Sequence, residues 1–211
     1  MKKLSPAIIA PTLLGRLLAL SPVDRSKAWD RNLKDAKLFK EDIDIHLKVE
    51  QSERCAYCGS RFMSTAWHRD HIAPKGRRYY PEWTFEPLNL VLACYDCNSG
   101  WKNQQDTIAT RAVDYQNCTF TIVHPYFDDP KNHLAYTGHR LSILISSVNG
   151  STKGDTTIKM FDLASPNRTK QRMKDAILDK DLDYLHGKWR HLAEAVVLAP
   201  VPQRLISKLR G

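Results

Sequence analysis

The sequence predicts an α+β fold in which a β-hairpin and a short helix form a core between helical flanks. Apolar residues recur at helical spacing before residue 54 and again after residue 165. Short strand-like runs separated by Gly, Pro and Asn lie between these flanks. Two Cys-x-x-Cys pairs frame the segment that is richest in turn residues. We expect one module of ordinary size, divided into an N-terminal arm and lead-in (1–54), a core (55–110) and a C-terminal elaboration (111–211).

The N-terminal arm is apolar and interrupted by prolines. A short helix is predicted after Pro11, and the apolar spacing predicts one further helix from Asp24 to about Glu53, with a break near Lys40. The start of the chain superficially resembles a signal peptide, but two prolines and an arginine interrupt its apolar run, so we interpret it as retained. No run reaches the roughly 18 apolar residues of a membrane span, and no membrane segment is expected.

Three strands and a long helix are predicted in the C-terminal elaboration. The strands are expected at 119–123, 141–148 and 156–161, with an Asn-Gly turn joining the last two in a hairpin. A Ser-Pro pair at 165–166 should begin a helix that runs to about Leu198. Its apolar residues form a seam that suits packing against another helix, either within the chain or in a partner or second copy. The seam comprises Leu178, Leu182, Leu185, Trp189, Leu192 and Val196.

The chain is basic, with a formal net charge of +9 and a pI near 9.3. Such a charge attracts polyanions, of which nucleic acid is the commonest in a cell. A solvated lysine-rich surface would give the same charge, so the charge alone is weak support for a nucleic-acid partner. The five cysteines do not have the pattern of a disulfide scaffold. A reducing, cytoplasmic location fits them best.

The two cysteine pairs predict a structural zinc site. Cys55 and Cys58 form one pair and Cys94 and Cys97 the other, and such pairs can direct four thiolates to one tetrahedral ion. A site with four protein ligands has no open position, so the zinc would stabilise the fold and take no part in chemistry. The 35 residues between the pairs exceed the roughly 15 to 20 of a plain zinc ribbon, which indicates an insertion. Cys118 lies outside both pairs and is interpreted as a small buried hydrophobe.

Polar residues with catalytic chemistry lie in and just after this insertion. Asp70 and His71 end an extended segment, Asn89 lies in a second predicted strand, and Asn98 begins a predicted helix that continues through Lys102. A histidine can take a proton from water near neutral pH, and a cation can neutralise charge on a phosphodiester.

Carboxylate and amide oxygens suit Mg²⁺, which keeps several coordination positions for water and phosphate. Because adjacent strand residues point to opposite faces, Asp70 and His71 can reach one site only with a bend, which we expect at Pro74.

The order of these motifs over residues 55 to about 105 resembles the HNH (ββα-metal) endonuclease family. The resemblance implies that His71 is the general base and that Asp70 and Asn98 ligate one catalytic Mg²⁺ or similar divalent ion. It also implies that Asn89 braces the loop that carries His71. The alternative is a zinc-stapled nucleic-acid-binding adaptor without catalysis.

Basic residues near the motif are candidates for contacts with nucleic acid. They are Lys75, Arg77, Arg78 and Lys102, and a hydrated loop is an equally ordinary interpretation of the first three. A further segment, His124 to His133, is dense in potential ligands. Its Pro and Asp content favours a rigid turn, and we do not assign it to the active site.

The whole layout resembles the PtuB-like nuclease subunits of Septu and retron anti-phage defence systems. This resemblance implies a partner ATPase of the PtuA-like kind, which would dock on the apolar arm or the helical seam. Homodimers or larger complexes remain open. We expect DNA as the substrate more than RNA. The other alternative to a subunit of a defence complex is a stand-alone restriction or toxin nuclease.

Overall fold

A two-stranded antiparallel hairpin of β1 (Trp67–His71) and β2 (Leu90–Cys94) lies at the centre of the computed structural model. The structure describes residues 1–62, 66–137 and 144–179. The register places Trp67 opposite Cys94 and His71 opposite Leu90. One π-helical segment, Asp96–Lys102, follows β2 directly. The predicted α+β class, with a hairpin and helix between helical flanks, is confirmed.

Each face of the hairpin is covered by its own hydrophobic cluster. Val91 and Ala93 contribute to a cluster with the cysteines and the C-terminal elements, whereas Leu90 and Leu92 contribute to a cluster with the N-terminal helices. Because alternate residues of a strand point to opposite faces, burial on both sides requires a continuous apolar run. The sequence of β2 from Leu90 to Cys94 is such a run, and every residue in it is buried.

The N-terminal segment forms three helices, α1 (Pro11–Leu18), α2 (Pro22–Asp30) and α3 (Lys34–Glu50). The helix predicted after Pro11 is confirmed. The single helix predicted from residue 24 to 53 is two helices, and the break lies at Asn32 instead of near Lys40. Helix α2 ends before Asn32, which has a φ of 54°. This left-handed conformation, which asparagine tolerates, stops the helix.

Lys40, where the break was expected, lies inside α3. Its ammonium donates to the carbonyl of Trp29 at 2.8 Å and to the side chain of Asn32 at 2.6 Å. The charge therefore satisfies acceptors at the end of α2, and the helix that carries it continues without interruption.

Two further hairpins follow the central one. β3 (Ile108–Thr110) pairs with β4 (Thr119–Phe120), and β5 (Leu134–Thr137) pairs with β6 (Leu144–Ser147). Of the strand predicted at 119–123, only the first two residues therefore form a strand. That predicted at 141–148 corresponds to β6, although residues 141–143 lie outside the described part of the chain.

The strand predicted at 156–161 is wrong, because Thr152–Met160 forms helix α4. Ser151 is the N-cap, and its hydroxyl accepts from the backbone N–H of Gly154 at 3.0 Å. The Asn-Gly turn thus leads into a capped helix and does not close a hairpin. Gly154 also allows α4 to pass close to the backbone just before β5, since a Cβ at this position would overlap the carbonyl oxygen of His133.

A last helix, α5, covers residues 166–179 and begins where the Ser-Pro pair predicts. Its carboxylate at Asp179 binds the guanidinium groups of Arg54 and Arg61, which tie the helix to the first cysteine pair. The predicted continuation to Leu198 and the seam from Leu182 onward lie outside the described residues. Within the described residues, no helix has the length and apolar character needed to cross a membrane.

Candidate active site and metal centre

The four paired cysteines converge on one point in the interior. The sulfur atoms of Cys55, Cys58, Cys94 and Cys97 all lie within 4.8 Å of one another, and those of Cys58 and Cys94 are 3.8 Å apart. Four sulfurs at about 2.3 Å from a tetrahedral ion would be about 3.8 Å apart, so the cluster could hold zinc. Among the described residues it is the one group of three or more cysteine, histidine or acidic side chains placed to share an ion.

The turn of the first cysteine pair depends on Gly59. Its φ is 75° and its N–H donates to the carbonyl of Cys55 at 2.9 Å. A residue with a side chain adopts this left-handed conformation at a cost, which explains the glycine directly after Cys58. The turn brings both sulfurs of the pair to the same side.

Arg168 of α5 lies against the sulfur cluster. One guanidinium nitrogen is 3.6 Å from the sulfur of Cys58, and the other is 3.6 Å from the sulfur of Cys97. Four thiolates around one divalent ion leave a net charge of −2, which a buried guanidinium partly neutralises. Arg168 lies 71 residues after Cys97 in the sequence, and no local motif connects the two.

Asp70 is buried at the end of β1, with 4% of its surface exposed. Tyr57, from the first cysteine turn, donates its hydroxyl to Oδ2 at 2.5 Å, and the Lys102 ammonium lies 3.1 Å from Oδ1. Burial raises the pKa of Asp70, while Lys102 and Tyr57 oppose the increase. An ionised carboxylate can accept about four hydrogen bonds or ligand bonds, so these two partners leave room for an ion.

Lys102 does not lie where a contact with a phosphate backbone requires it. Only 1% of its surface is exposed, and its ammonium donates to the backbone carbonyl of His71 at 2.7 Å as well as to Asp70. The expectation that Lys102 contacts nucleic acid at the surface is therefore corrected. The lysine faces inward because the π-helical segment directs it at two acceptors that would otherwise be buried without a partner.

His71 is held in one orientation by two neighbours. Its Nε2 lies 3.0 Å from the carbonyl oxygen of Thr84, and the Trp29 ring meets it edge-on at a centroid distance of 4.5 Å. A carbonyl can only accept, so Nε2 carries the proton and Nδ1 keeps its lone pair. Burial lowers the pKa of His71 to about 3, although the bond to Thr84 acts in the other direction. The imidazole is therefore neutral at physiological pH.

Asp70 and His71 face opposite sides of the hairpin, as adjacent strand residues do. Asp70 pairs with Val91 on the side of the cysteine cluster, and His71 pairs with Leu90 on the side of the N-terminal helices. Strand β1 ends at His71. Both residues thus lie at the end of the ladder, where the strand passes into the loop.

The side-chain amide of Asn89 braces that loop with every donor and acceptor in use. Its oxygen accepts from the N–H of Ala73 at 2.7 Å and from the hydroxyl of Tyr115 at 2.9 Å. Its nitrogen donates to the carbonyls of Ala73 at 3.0 Å and Trp83 at 3.1 Å. One fully buried side chain therefore binds both Trp83, which precedes Thr84, and Ala73, which lies two residues after His71.

The remaining predicted site residues lie nearer the surface. Asn98 is half-buried on the π-helical segment, about one turn before Lys102. Arg77 and Arg78 are exposed in the loop after β1. Lys75 is less available, since its ammonium lies 2.7 Å from the carboxylate of Asp30 in α2.

Sequence reasoning missed several residues of this site. Tyr57 and Thr84 are contacts across the fold, and nothing in their spacing from Asp70 or His71 distinguishes them. Trp29 shows only the helical periodicity of a core residue. The one available signal is the position of Tyr57 between Cys55 and Cys58, which places it beside the sulfur cluster.

Residues 55–104 match the family model for the HNH endonuclease. The match falls on the residues whose motifs predicted the resemblance, and it supports a nuclease in general. The match covers both cysteine pairs, the central hairpin and the π-helical segment.

Two particular proteins are similar over longer stretches. Protein ea31 of Escherichia phage lambda is 33% identical over 109 residues, which are 52% of this chain and 33% of that protein. Septu protein PtuB of Bacillus mycoides (strain KBAB4) is 26% identical over 163 residues, which are 68% of this chain and 52% of that protein. The chain thus spans a third of the first relative and about half of the second. The likeness to PtuB supports the predicted resemblance to PtuB-like nucleases.

Proposed function

We propose that the protein is a divalent-ion-dependent endonuclease that hydrolyses phosphodiester bonds, with His71 as the general base. The observation that carries the proposal is the hydrogen bond from His71 Nε2 to Thr84, within a segment that matches the HNH endonuclease model. This bond fixes the tautomer and leaves Nδ1 to take a proton from an attacking water. Trp29 excludes other ring orientations.

Asp70 and Asn98 would hold the catalytic ion, for which we propose Mg²⁺. Because Asp70 and His71 leave β1 on opposite faces, the substrate phosphate would have to lie across the end of the hairpin to meet both the ion and the base. The ion would supply positive charge that stabilises the phosphate and the leaving oxygen. One carboxylate and one amide oxygen are a donor set that suits Mg²⁺, which keeps much of its coordination shell for water and substrate. Lys102 and Tyr57 hold the Asp70 carboxylate in one orientation.

The low pKa of His71 has a chemical consequence. A ring with a pKa of about 3 is deprotonated and ready to accept a proton, but it is a weak base. An anionic phosphate beside the ring would raise the pKa again, because negative charge favours the imidazolium. The charge of the phosphate would therefore strengthen the base when substrate binds, and the proposed cation would act in the opposite direction.

We further propose that the four cysteines hold structural zinc and that nucleic acid approaches over the loop with the exposed Arg77 and Arg78. DNA is the proposed substrate. We also propose a role in anti-phage defence, in the cytoplasm and with an ATPase partner. The likeness to Septu protein PtuB supports the defence role. Purification with and without a co-expressed ATPase tests that partner directly.

The central test is the substitution His71→Ala. Cleavage of plasmid DNA with Mg²⁺ should be lost, while zinc content and the circular dichroism spectrum stay those of the wild type. The matched control is His46→Ala on α3, whose ring bonds to the carbonyl of Ser5 and which should keep full cleavage. Wild-type cleavage by His71→Ala contradicts the mechanism. Metal-independent DNA binding without cleavage by the wild type supports the adaptor alternative.

A further inference from the structure

A buried polar chain extends from Asn89 to the segment around His124. The Tyr115 hydroxyl is 2.9 Å from Asn89 Oδ1 and 3.0 Å from His124 Nε2. Asn89 and His124 have no exposed surface, and Tyr115 is 4% exposed. Tyr115 and His124 lie outside the motifs at 70–71, 89 and 98.

The direction of each hydrogen bond follows from counting donors. Tyr115 has one hydroxyl proton, which it donates to the carbonyl oxygen of Asn89, so its oxygen must accept from Nε2–H of His124. The other ring nitrogen of His124, Nδ1, accepts from the backbone N–H of Tyr126 at 3.3 Å. The two bonds require the same neutral tautomer, so the chain has one consistent arrangement of protons.

The surroundings of His124 keep this tautomer neutral. Its ring stacks on Phe127 at a centroid distance of 4.1 Å and packs against Phe120 at 4.2 Å. Burial lowers the pKa of His124 to about 3, with Asp128 raising it and Lys153 lowering it further. A charged imidazolium would lose the acceptor that Tyr126 uses.

We propose that Tyr115 and His124 are positioning residues for His71, acting through Asn89. The path is short. Asn89 donates to the carbonyl of Trp83, and the next residue, Thr84, provides the carbonyl that fixes the His71 ring. Without the Tyr115 hydroxyl, one acceptor site of the Asn89 amide is empty and its orientation is less strictly defined. The catalytic consequence rests on the proposed function, whereas the effect on ring orientation does not.

The path also gives a role to a segment that the sequence motif leaves outside the active site. The backbone N–H of His124 donates to the Asp128 carboxylate at 2.8 Å, so the turn itself fixes the position of the ring. Lys153 of α4 holds the same carboxylate at 2.9 Å. The C-terminal elaboration thus reaches the Asn89 side chain, which braces the loop of the central hairpin, through the Tyr115 hydroxyl.

Tyr115→Phe tests the proposal, because it removes the hydroxyl and keeps the ring. The turnover number kcat for DNA cleavage should fall about tenfold while KM changes little, since a misplaced base affects the chemical step. The nitrogen resonance of the His71 ring, assigned by its absence in His71→Ala, should shift. This spectroscopic change is expected even in a chain that shows no cleavage, so it separates failure of this proposal from failure of the proposed function.

The matched control is Thr157→Val, which removes another buried hydroxyl, on α4. Thr157 accepts from the N–H of Val123 at 2.8 Å and donates to the carbonyl of Lys153 at 2.7 Å. The variant Thr157→Val should lower the melting temperature at least as much as Tyr115→Phe does. It should change neither the His71 resonance nor kcat. Equal effects of both variants on the resonance and kcat would reduce Tyr115 to a packing residue and overturn the proposal.

A second pair of variants covers the case in which Tyr115→Phe does not fold. His124→Gln retains an N–H that can donate to Tyr115, whereas His124→Leu cannot donate. Rescue of kcat and of the His71 resonance by glutamine but not by leucine supports the chain. An unchanged resonance in His124→Leu contradicts it.

Discussion

The hydroxyl of Tyr57 donates to Oδ2 of Asp70 at 2.5 Å, and Tyr57 lies between two cysteines of the sulfur cluster. The candidate zinc site and the candidate catalytic carboxylate are therefore joined by one hydrogen bond. The Tyr57 ring stacks on Phe161 at a centroid distance of 4.0 Å, which fixes its direction from the other side. The turn that carries the sulfur cluster thus also orients Asp70.

The substitution Tyr57→Phe should weaken both the fold and the ion site. A hydrogen bond to a charged group contributes about 1.5 to 3 kcal/mol, and the ring stack is kept. We expect a loss of that size in the free energy of unfolding, measured with urea, and a higher Mg²⁺ concentration for half-maximal cleavage. Tyr80→Phe is the control, since its hydroxyl bonds to the exposed Asp106. Equal stability losses in the two variants would contradict the role of Tyr57.

The buried pair of Lys102 and Asp70 predicts strong coupling in a double-mutant cycle. Lys102→Met leaves a buried carboxylate without its cation, which costs about 3 to 5 kcal/mol of unfolding free energy. Asp70→Asn combined with Lys102→Met should recover part of this loss, because the uncompensated charge is gone. The exposed pair of Arg16 and Asp35 should show a much smaller coupling in the same measurement. Strict additivity at the buried pair is the result that would contradict this prediction.

Arg168 should hold the metal cluster closed. Arg168→Ala removes the guanidinium that lies 3.6 Å from the sulfurs of Cys58 and Cys97, so the negative charge of the cluster is no longer neutralised. We expect faster release of zinc to a colorimetric chelator and a lower melting temperature. Lys170→Ala removes the same charge from an exposed position of the same helix and should release zinc at the wild-type rate. Equal rates of zinc release from Arg168→Ala and Lys170→Ala would mean that Arg168 does not stabilise the cluster.

Local patterns predicted the parts of the fold that depend on local physics. The cysteine spacing, the strand before Asp70 and the proline-initiated helix α1 each depend on residues close in sequence. The strand predicted at 156–161 failed for a local reason too, since the N-cap at Ser151 outweighed the strand preference of the threonines.

The parts that sequence could not supply depend on long-range contacts. In the sequence, Lys102 has the pattern of a surface lysine beside a metal motif. Only its contacts with Asp70 and the His71 carbonyl show that it is internal. The bonds from Thr84 to His71 and from Tyr115 to Asn89 join segments with no shared motif. Their partners are set by how the loops pack, which the order of residue types does not specify.

The stability of the protein should fall as the pH decreases below about 6.5, and His124 predicts part of this decrease. Burial lowers its pKa to about 3 in the folded chain, against an ordinary value of 6.5. Above pH 6.5 neither state binds the proton, so His124 contributes nothing to the pH dependence. Between pH 6.5 and 3 the unfolded chain binds a proton that the folded chain does not, which favours unfolding by up to about 1.4 kcal/mol per pH unit.

Other groups titrate in the same range, so His124→Gln is compared with the wild type. The buried carboxylates and His71 remain in both proteins, and their contributions cancel in the difference. Between pH 7 and pH 5 the wild type should lose about 2 kcal/mol more unfolding free energy than the variant, measured by urea denaturation. The direction is fixed by the lowered pKa, since a histidine with a raised pKa would stabilise the fold on acidification. Parallel stability curves for the two proteins would mean that His124 is protonated equally in the folded and unfolded chains.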